Sequence, residues 1–184
     1  QDPDKFDKLN EKLIKYEEIT DRIEYEIATY LNEVGKNEIS EEAANKIKSM
    51  YKIIGELESL GDSGETISRV LARRNIHKKI FDQETVKKIE GMVAAVDHAY
   101  EAMLVNLEAA HKGELVEISN AYNAEDRINN LRNNLREAEI EELESNRKNY
   151  HASVYYMDIV SELEKMGDFI INISQTLEKS FVKK

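Results

Sequence analysis

The only proline in this 184-residue chain is Pro3. Proline lacks the backbone N–H and clashes with the preceding turn, so helix interiors exclude it. A chain free of it from Asp4 to Lys184, and rich in Glu, Lys, Leu, Ile and Ala, is predicted to be nearly all helix. No apolar run approaches the roughly 20 residues that a membrane-spanning helix needs. The absence of cysteine excludes a disulfide scaffold, a thiolate metal site and a cysteine nucleophile. A formal net charge of −11 argues against a surface that coats DNA or RNA, which requires clustered Lys and Arg.

Apolar periodicity divides the chain into five helices. The first, from Asp4 to about Val34, carries Leu9, Leu13, Tyr16, Ile23, Ile27 and Tyr30 as one heptad-like stripe interrupted at Thr20. Gly35-Lys36-Asn37 supplies a turn. Ser40 is the predicted N-cap of a second helix that runs to about Arg74 with Gly61 and Gly64 inside it. Asn75 to Asp82 reads as a linker with Ile76, Ile80 and Phe81 packed. A third helix is expected from Gln83 to His111, a fourth from about Glu114 to Asn146 and a fifth from Tyr150 to Ser180. Five long helices with short turns predict an all-α, elongated antiparallel bundle.

The bundle is internally repeated. Gly55-Glu56-Leu57-Glu58-Ser59-Leu60-Gly61-Asp62 recurs as Ser161-Glu162-Leu163-Glu164-Lys165-Met166-Gly167-Asp168, with Ile67-Ser68 and Ile173-Ser174 following at equal distance, an offset of 106 residues. One helix earlier, Asp21-Arg22-Ile23 recurs as Asp126-Arg127-Ile128, an offset of 105. The duplicated unit is too long for a short-repeat solenoid. The division expected is a two-helix unit over residues 1–78 and a three-helix unit over 79–184, the first lacking a counterpart of the Gln83–His111 helix. The sequence opens on Gln1-Asp2-Pro3 without Met, which reads as a processed product or an excised fragment.

Glu58-x-x-x-Asp62, Glu164-x-x-x-Asp168 and Glu17-x-x-x-Asp21 each set two carboxylates one turn apart on a helix face. Like charges at that spacing repel, so a cation is expected to compensate. Glu17 and Glu58 both lie about 20 residues from their shared turn, which at 1.5 Å per residue puts the two acidic pairs at one height. Four facing carboxylates suit a hard or borderline cation. The second unit offers three, Asp126, Glu164 and Asp168, with Tyr122 where the fourth would stand. Gly61 and Gly167 leave room for a neighbouring helix or a bridging ligand, and Arg22, Arg127 and Lys165 are the cations that would neutralise the acids without a metal.

Two helical units, each with E-x-x-x-D beside a glycine on its last helix, resemble the PhoU family through Glu58-Ser59-Leu60-Gly61-Asp62, Glu164-Lys165-Met166-Gly167-Asp168, Glu17 and Asp21, with Asp126 a half match. The resemblance covers most of the chain. It departs at the absent first helix, at Tyr122, and at Ser59 and Lys165, where arginine often follows the glutamate. It implies an α-helical regulator of phosphate uptake, with a divalent or trivalent metal (Fe, Mn, Zn or Mg) on Glu17, Asp21, Glu58, Asp62, Asp126, Glu164 and Asp168. Nothing in the chain resembles a Ser-His-Asp triad, a P-loop or a dinucleotide fingerprint, so no enzyme is expected. The resemblance also implies the cytoplasmic portion of a sodium-dependent phosphate cotransporter, at the inner face of the membrane. The partner would then be a transmembrane transport domain upstream in the same chain, or a phosphate transporter if the domain is a free-standing regulator.

Two other readings compete. A ferritin-like di-iron site needs two Glu-x-x-His motifs; Glu108-x-x-His111 is one, and His77, His98 and His151 have no Glu three residues before them. A structural helical adaptor accounts for the bundle without any site. An apolar seam left uncovered by the absent helix would favour a homodimer.

Overall fold

In the computed structural model, which describes residues 3–145, 147 and 149–181, the chain forms five helices: α1 (Pro3–Gly35), α2 (Glu41–Ile76), α3 (Gln83–Lys112), α4 (Ile118–Glu144) and α5 (Tyr150–Phe181). There is no strand among the described residues. The helix ends follow from local chemistry. Ser40 Oγ accepts the Ala43 N–H at 3.1 Å, and the Asp82 carboxylate accepts the Thr85 N–H at 2.7 Å, so each side chain satisfies one of the free donors of a first turn. Gly113 ends α3 in the left-handed region (φ 72°), a conformation that favours glycine.

Two sequence expectations fail at the connections. α4 begins at Ile118 and not at Glu114, because Val116 is drawn into the core while Leu115 turns to solvent at 78% exposure. In the α2–α3 linker only Phe81 is buried, and Ile76 and Ile80 are exposed. Phe81 lies under the Arg74 guanidinium, 4.6 Å from ring centroid to Cζ, a cation–π contact that fixes which of the three apolar side chains turns inward. Asn146, the expected end of the fourth helix, lies outside the described residues.

α2 and α5, the two helices that carry the repeated motif, pack against each other at the centre. They run antiparallel: Ser49 meets Ser180, Asn172 donates to Glu56 at 3.2 Å, and Ser63 donates to Glu162 at 2.8 Å. Glu56 and Glu162 are repeat equivalents, so each unit reaches across with the same glutamate. α1 flanks α2, while α3 and α4 both flank α5 and each other. Met92, Met103, Ile128, Tyr156, Ile159 and Ile173 are at most 1% exposed and form the centre of a single core. It lies mostly in the α3–α5 unit. The stripe expected on the first helix packs only in part: Leu9, Tyr16, Ile23 and Tyr30 are all exposed.

Candidate cation site

Gly61 and Gly167 set the heights of the acidic side chains. A Cβ on Gly61 would stand 3.0 Å from Thr20 Oγ1, and one on Gly167 would stand 3.0 and 3.2 Å from Ile128 Cδ1 and Cγ2. Each glycine therefore lets the preceding helix of its own unit approach. Thr20, which interrupts the apolar stripe of α1, turns its hydroxyl back onto the Glu17 carbonyl at 2.8 Å and fits the space that Gly61 leaves. Thr20 stands to Gly61 as Ile128 stands to Gly167, so packing relates α1 to α4 by an offset of 108 residues. The sequence match Asp21/Asp126 has an offset of 105 and is one helical turn out of step with this.

On the first unit the expected residues converge. Glu17, Asp21 and Asp62 each bring a carboxylate oxygen within 4.8 Å of the other two. Glu58 lies one turn from Asp62 on the same helix and extends the group towards Glu24. Glu17 is half-buried, whereas Asp21 and Asp62 are exposed. Loss of hydration raises the Glu17 pKa first, and the negative charges of Asp21, Glu65 and Asp62 push it further in the same direction. The Glu58 pKa is also raised, by desolvation and then by Asp62, with a hydrogen bond from Ser59 working against the shift. Among the described residues none of Glu17, Asp21, Glu58 and Asp62 has an ion-pair partner: Arg22 reaches Glu26 at 3.9 Å, and Arg69 is held by Glu65 at 2.6 Å.

On the second unit the expected set separates. Asp126 lies on the other side of α4, in a shallow hollow with Gly91, Arg127, Asn130 and Asn134. The positions equivalent to Glu17, Asp21 and Glu24 at the packing offset are Glu125, Asn129 and Arg132. Asn129 donates its amide to Glu125 at 2.5 Å, and Arg132 binds Glu164 at 2.8 Å. Desolvation and Glu164 raise the Asp168 pKa while Arg132 lowers it. A guanidinium thus stands where the first unit has a carboxylate. Lys165, one of the expected neutralising cations, pairs instead with Glu162 at 3.0 Å. Sequence reading missed Glu24, Glu65, Glu125, Asn129 and Arg132. For Glu125, Asn129 and Arg132 the signal is the apolar spacing of α4, in which Ala121, Ala124 and Ile128 face inward and Asp126 does not.

Oxygen donors alone, with no imidazole among them, fit a hard cation such as Mg²⁺, Mn²⁺ or Fe³⁺ better than Zn²⁺. The first unit brings together three carboxylates that could hold one ion, and among the described residues these acids have no ion-pair partner. The second has supplied its own. No described helix is long and apolar enough to cross a membrane. Comparison of the chain with protein-family models, characterised proteins and solved structures finds no match.

Proposed function

We propose that this chain is a PhoU-like regulatory domain of phosphate uptake whose α1–α2 unit responds to a hard cation held by Glu17, Asp21 and Asp62, with Glu58 at its edge. The observation that carries the reading is three converging carboxylates without an ion-pair partner, set beside one copy of a motif whose other copy is closed by Arg132. The repeated E-x-x-G-D segments supply the family resemblance. In this reading the domain acts at the inner face of the membrane on a sodium-dependent phosphate transporter, as part of the same polypeptide or as a separate regulator, and performs no catalysis. Cation binding draws α1 and α2 together at mid-height by relieving the carboxylate repulsion that adds to desolvation in raising the Glu17 and Glu58 pKa values.

The test is metal analysis of purified protein after equilibration with Mn²⁺ or Fe³⁺ and desalting, wild type against Asp62→Asn and Asp168→Asn. One ion per chain is expected in the wild type and in Asp168→Asn, and none in Asp62→Asn. Equal and negligible metal in all three rejects the cation site. Phosphate uptake unchanged in cells that carry the Asp62→Asn protein rejects the regulatory role.

A further inference from the structure

In a chain with 37 acidic residues, the stretch from Thr66 to Phe81 contains none. It holds Arg69, Arg73, Arg74, Lys78 and Lys79, and it forms the end of α2 and most of the α2–α3 loop. Arg69 is held by Glu65, and Arg74 is buried over the Phe81 ring. Arg73, Lys78 and Lys79 enter no ion pair among the described residues. The next acids along the chain are engaged: Asp82 caps α3, and Glu84 pairs with Lys88 at 3.0 Å. Ile76 and Ile80 stand among these cations at 74 and 86% exposure. The first turns of α5 lie at the same end, where the Tyr155 hydroxyl bonds His77 Nδ1 and Tyr150 is 67% exposed.

The loop has a defined shape. The Lys79 N–H returns to the Arg74 carbonyl at 3.0 Å and the Lys78 N–H to the Asn75 carbonyl at 2.9 Å, the paired bonds of a Schellman turn. α3 ends in the same turn, with the Glu114 N–H on the Ala109 carbonyl and the Gly113 N–H on the Ala110 carbonyl. The residue that turns left-handed is Gly113 there, at φ 72°, and Lys78 here, at φ 51°. A side chain in that region is strained where glycine is not. The chain thus keeps a lysine where its other turn of this type has glycine, and the fold itself does not call for one.

We propose that this end of the bundle rests on an anionic lipid bilayer, with Ile76, Ile80 and Tyr150 in the headgroup layer and Arg73, Lys78 and Lys79 against the lipid phosphates and carboxylates. Apolar side chains flanked by Lys and Arg suit the membrane interface, and tyrosine suits the same depth. An aliphatic side chain has nothing to stack on in a single-stranded nucleic acid, and two isoleucines on a loop offer no groove to a partner helix. The acidic remainder of the chain does not oppose the contact. Ile76 is 14 residues along α2 from Asp62, roughly 21 Å and about two Debye lengths in 0.1 M salt. On α1, whose Asn10 is bonded by Ser68, Asp7 and Glu11 alternate with Lys8 and Lys12 and add no net charge. α4, which carries Glu141 and Glu144 at its end, makes no contact with α2 among the described residues. The inference goes beyond the cation site and does not depend on it.

The test is flotation of the whole chain with vesicles of phosphatidylcholine, with and without phosphatidylserine, in EDTA so that no bound cation contributes. The wild type is expected to float with the phosphatidylserine vesicles alone, and raised salt to release it. A Lys or Arg near an anionic surface is worth about fivefold in partitioning, so Lys78→Glu with Lys79→Glu should weaken binding at least about twentyfold. Ile76→Ser with Ile80→Ser, at sites exposed enough to leave the thermal melt intact, should weaken it at least about fivefold. Lys78→Gly relieves the strained turn and removes one charge. Its melting temperature should rise while its binding falls about fivefold, a divergence that loss of folding cannot produce. Lys36→Glu, at the opposite end of the bundle, leaves flotation unchanged. The proposal is overturned if the wild type floats with neither vesicle, or if the lysine pair variant floats as the wild type does. It is also overturned if the isoleucine pair variant does so, since the loop would then suit an acidic polypeptide, which needs no apolar tip. Metal content of the lysine pair variant equals that of the wild type, so this result and the one on the cation site are read separately.

Discussion

Gly167→Ala sets two opposed effects against each other, and the structure decides between them. Replacing a helix-interior glycine by alanine gains about 1 kcal/mol of helix propensity where the methyl meets nothing. Gly91, on α3, is such a site, with no neighbour within 4 Å of where the methyl would stand. At Gly167 the same methyl would meet two carbons of Ile128 at 3.0 and 3.2 Å. Ile128 is fully buried at the α4–α5 crossing, so it has little room to give. Overpacking a close-packed core costs about 1–3 kcal/mol, which exceeds the propensity gain through most of that range. Gly91→Ala is therefore expected to raise stability by about 0.5–1 kcal/mol and Gly167→Ala to lower it by up to about 2 kcal/mol. At about 2–4 °C per kcal/mol for a chain of this size, the melting temperatures of the two variants should separate by several degrees. Gly61→Ala falls between them, because its methyl meets the Thr20 hydroxyl, which can rotate on a half-exposed side chain. Urea titration followed by circular dichroism measures all three. Equal stabilisation by Gly167→Ala and Gly91→Ala would refute the close approach of α4 to α5, and with it the register of the second unit.

The acidic group gives a pH signature. The Glu17 and Glu58 pKa values are raised by folding, so their stabilising contribution is complete below the unfolded carboxyl pKa and is lost as pH rises through the higher folded value. Asp62→Asn should thus stabilise the cation-free protein at pH 7 and have little effect at pH 4; denaturant melts at both pH values decide it, and a gain that grows towards acid would reverse the sign. Arg132→Gln strips Glu164 of its partner at a site where the two side chains are 30 and 18% exposed. A loss of about 1–2 kcal/mol is expected, between the values for exposed and buried pairs, and Glu164→Gln added to it should restore most of that loss. Burial pushes the Tyr156 pKa up to about 12. Stability should accordingly fall as pH rises from 10 through 12, with Tyr156 ionising after the surface tyrosines in ultraviolet titration; titration of all tyrosines together in the folded protein would contradict its burial.

How much of this was legible in the sequence depends on the range of the interaction that decides each feature. Ser40 acts within a few residues of itself and caps α2 where the sequence places it. The all-helical fold follows from the missing proline and a 3.6-residue apolar period, which are also local properties. Ile76, Ile80 and Phe81 form an apolar linker in which nothing local distinguishes the one that packs; Arg74, lying over the Phe81 ring, does. The register between α1 and α4 illustrates the same limit. Asp21-Arg22-Ile23 and Asp126-Arg127-Ile128 agree in three letters, but α4 is rotated so that Ile128 fills the space at Gly167 and Asp126 faces away. A three-residue identity cannot outweigh a close helix crossing, because the crossing is set by the shape of the surfaces that meet.

The packing register also accounts for why one unit is closed and the other open. With Glu125 opposite Glu17, Asn129 opposite Asp21 and Arg132 opposite Glu24, the second unit has exchanged one carboxylate for an amide and another for a guanidinium at equivalent places. Those exchanges set a counter-charge beside Glu164 and Asp168, where the carboxylate repulsion is offset by Arg132, and α3 packs over α4. The first unit retains both the repulsion, which adds to desolvation in raising the Glu17 and Glu58 pKa values, and a bare face, in Tyr16, Ile23 and Tyr30. Each of these features costs stability in the isolated chain, and a cation held by the acidic group would relieve the first of them.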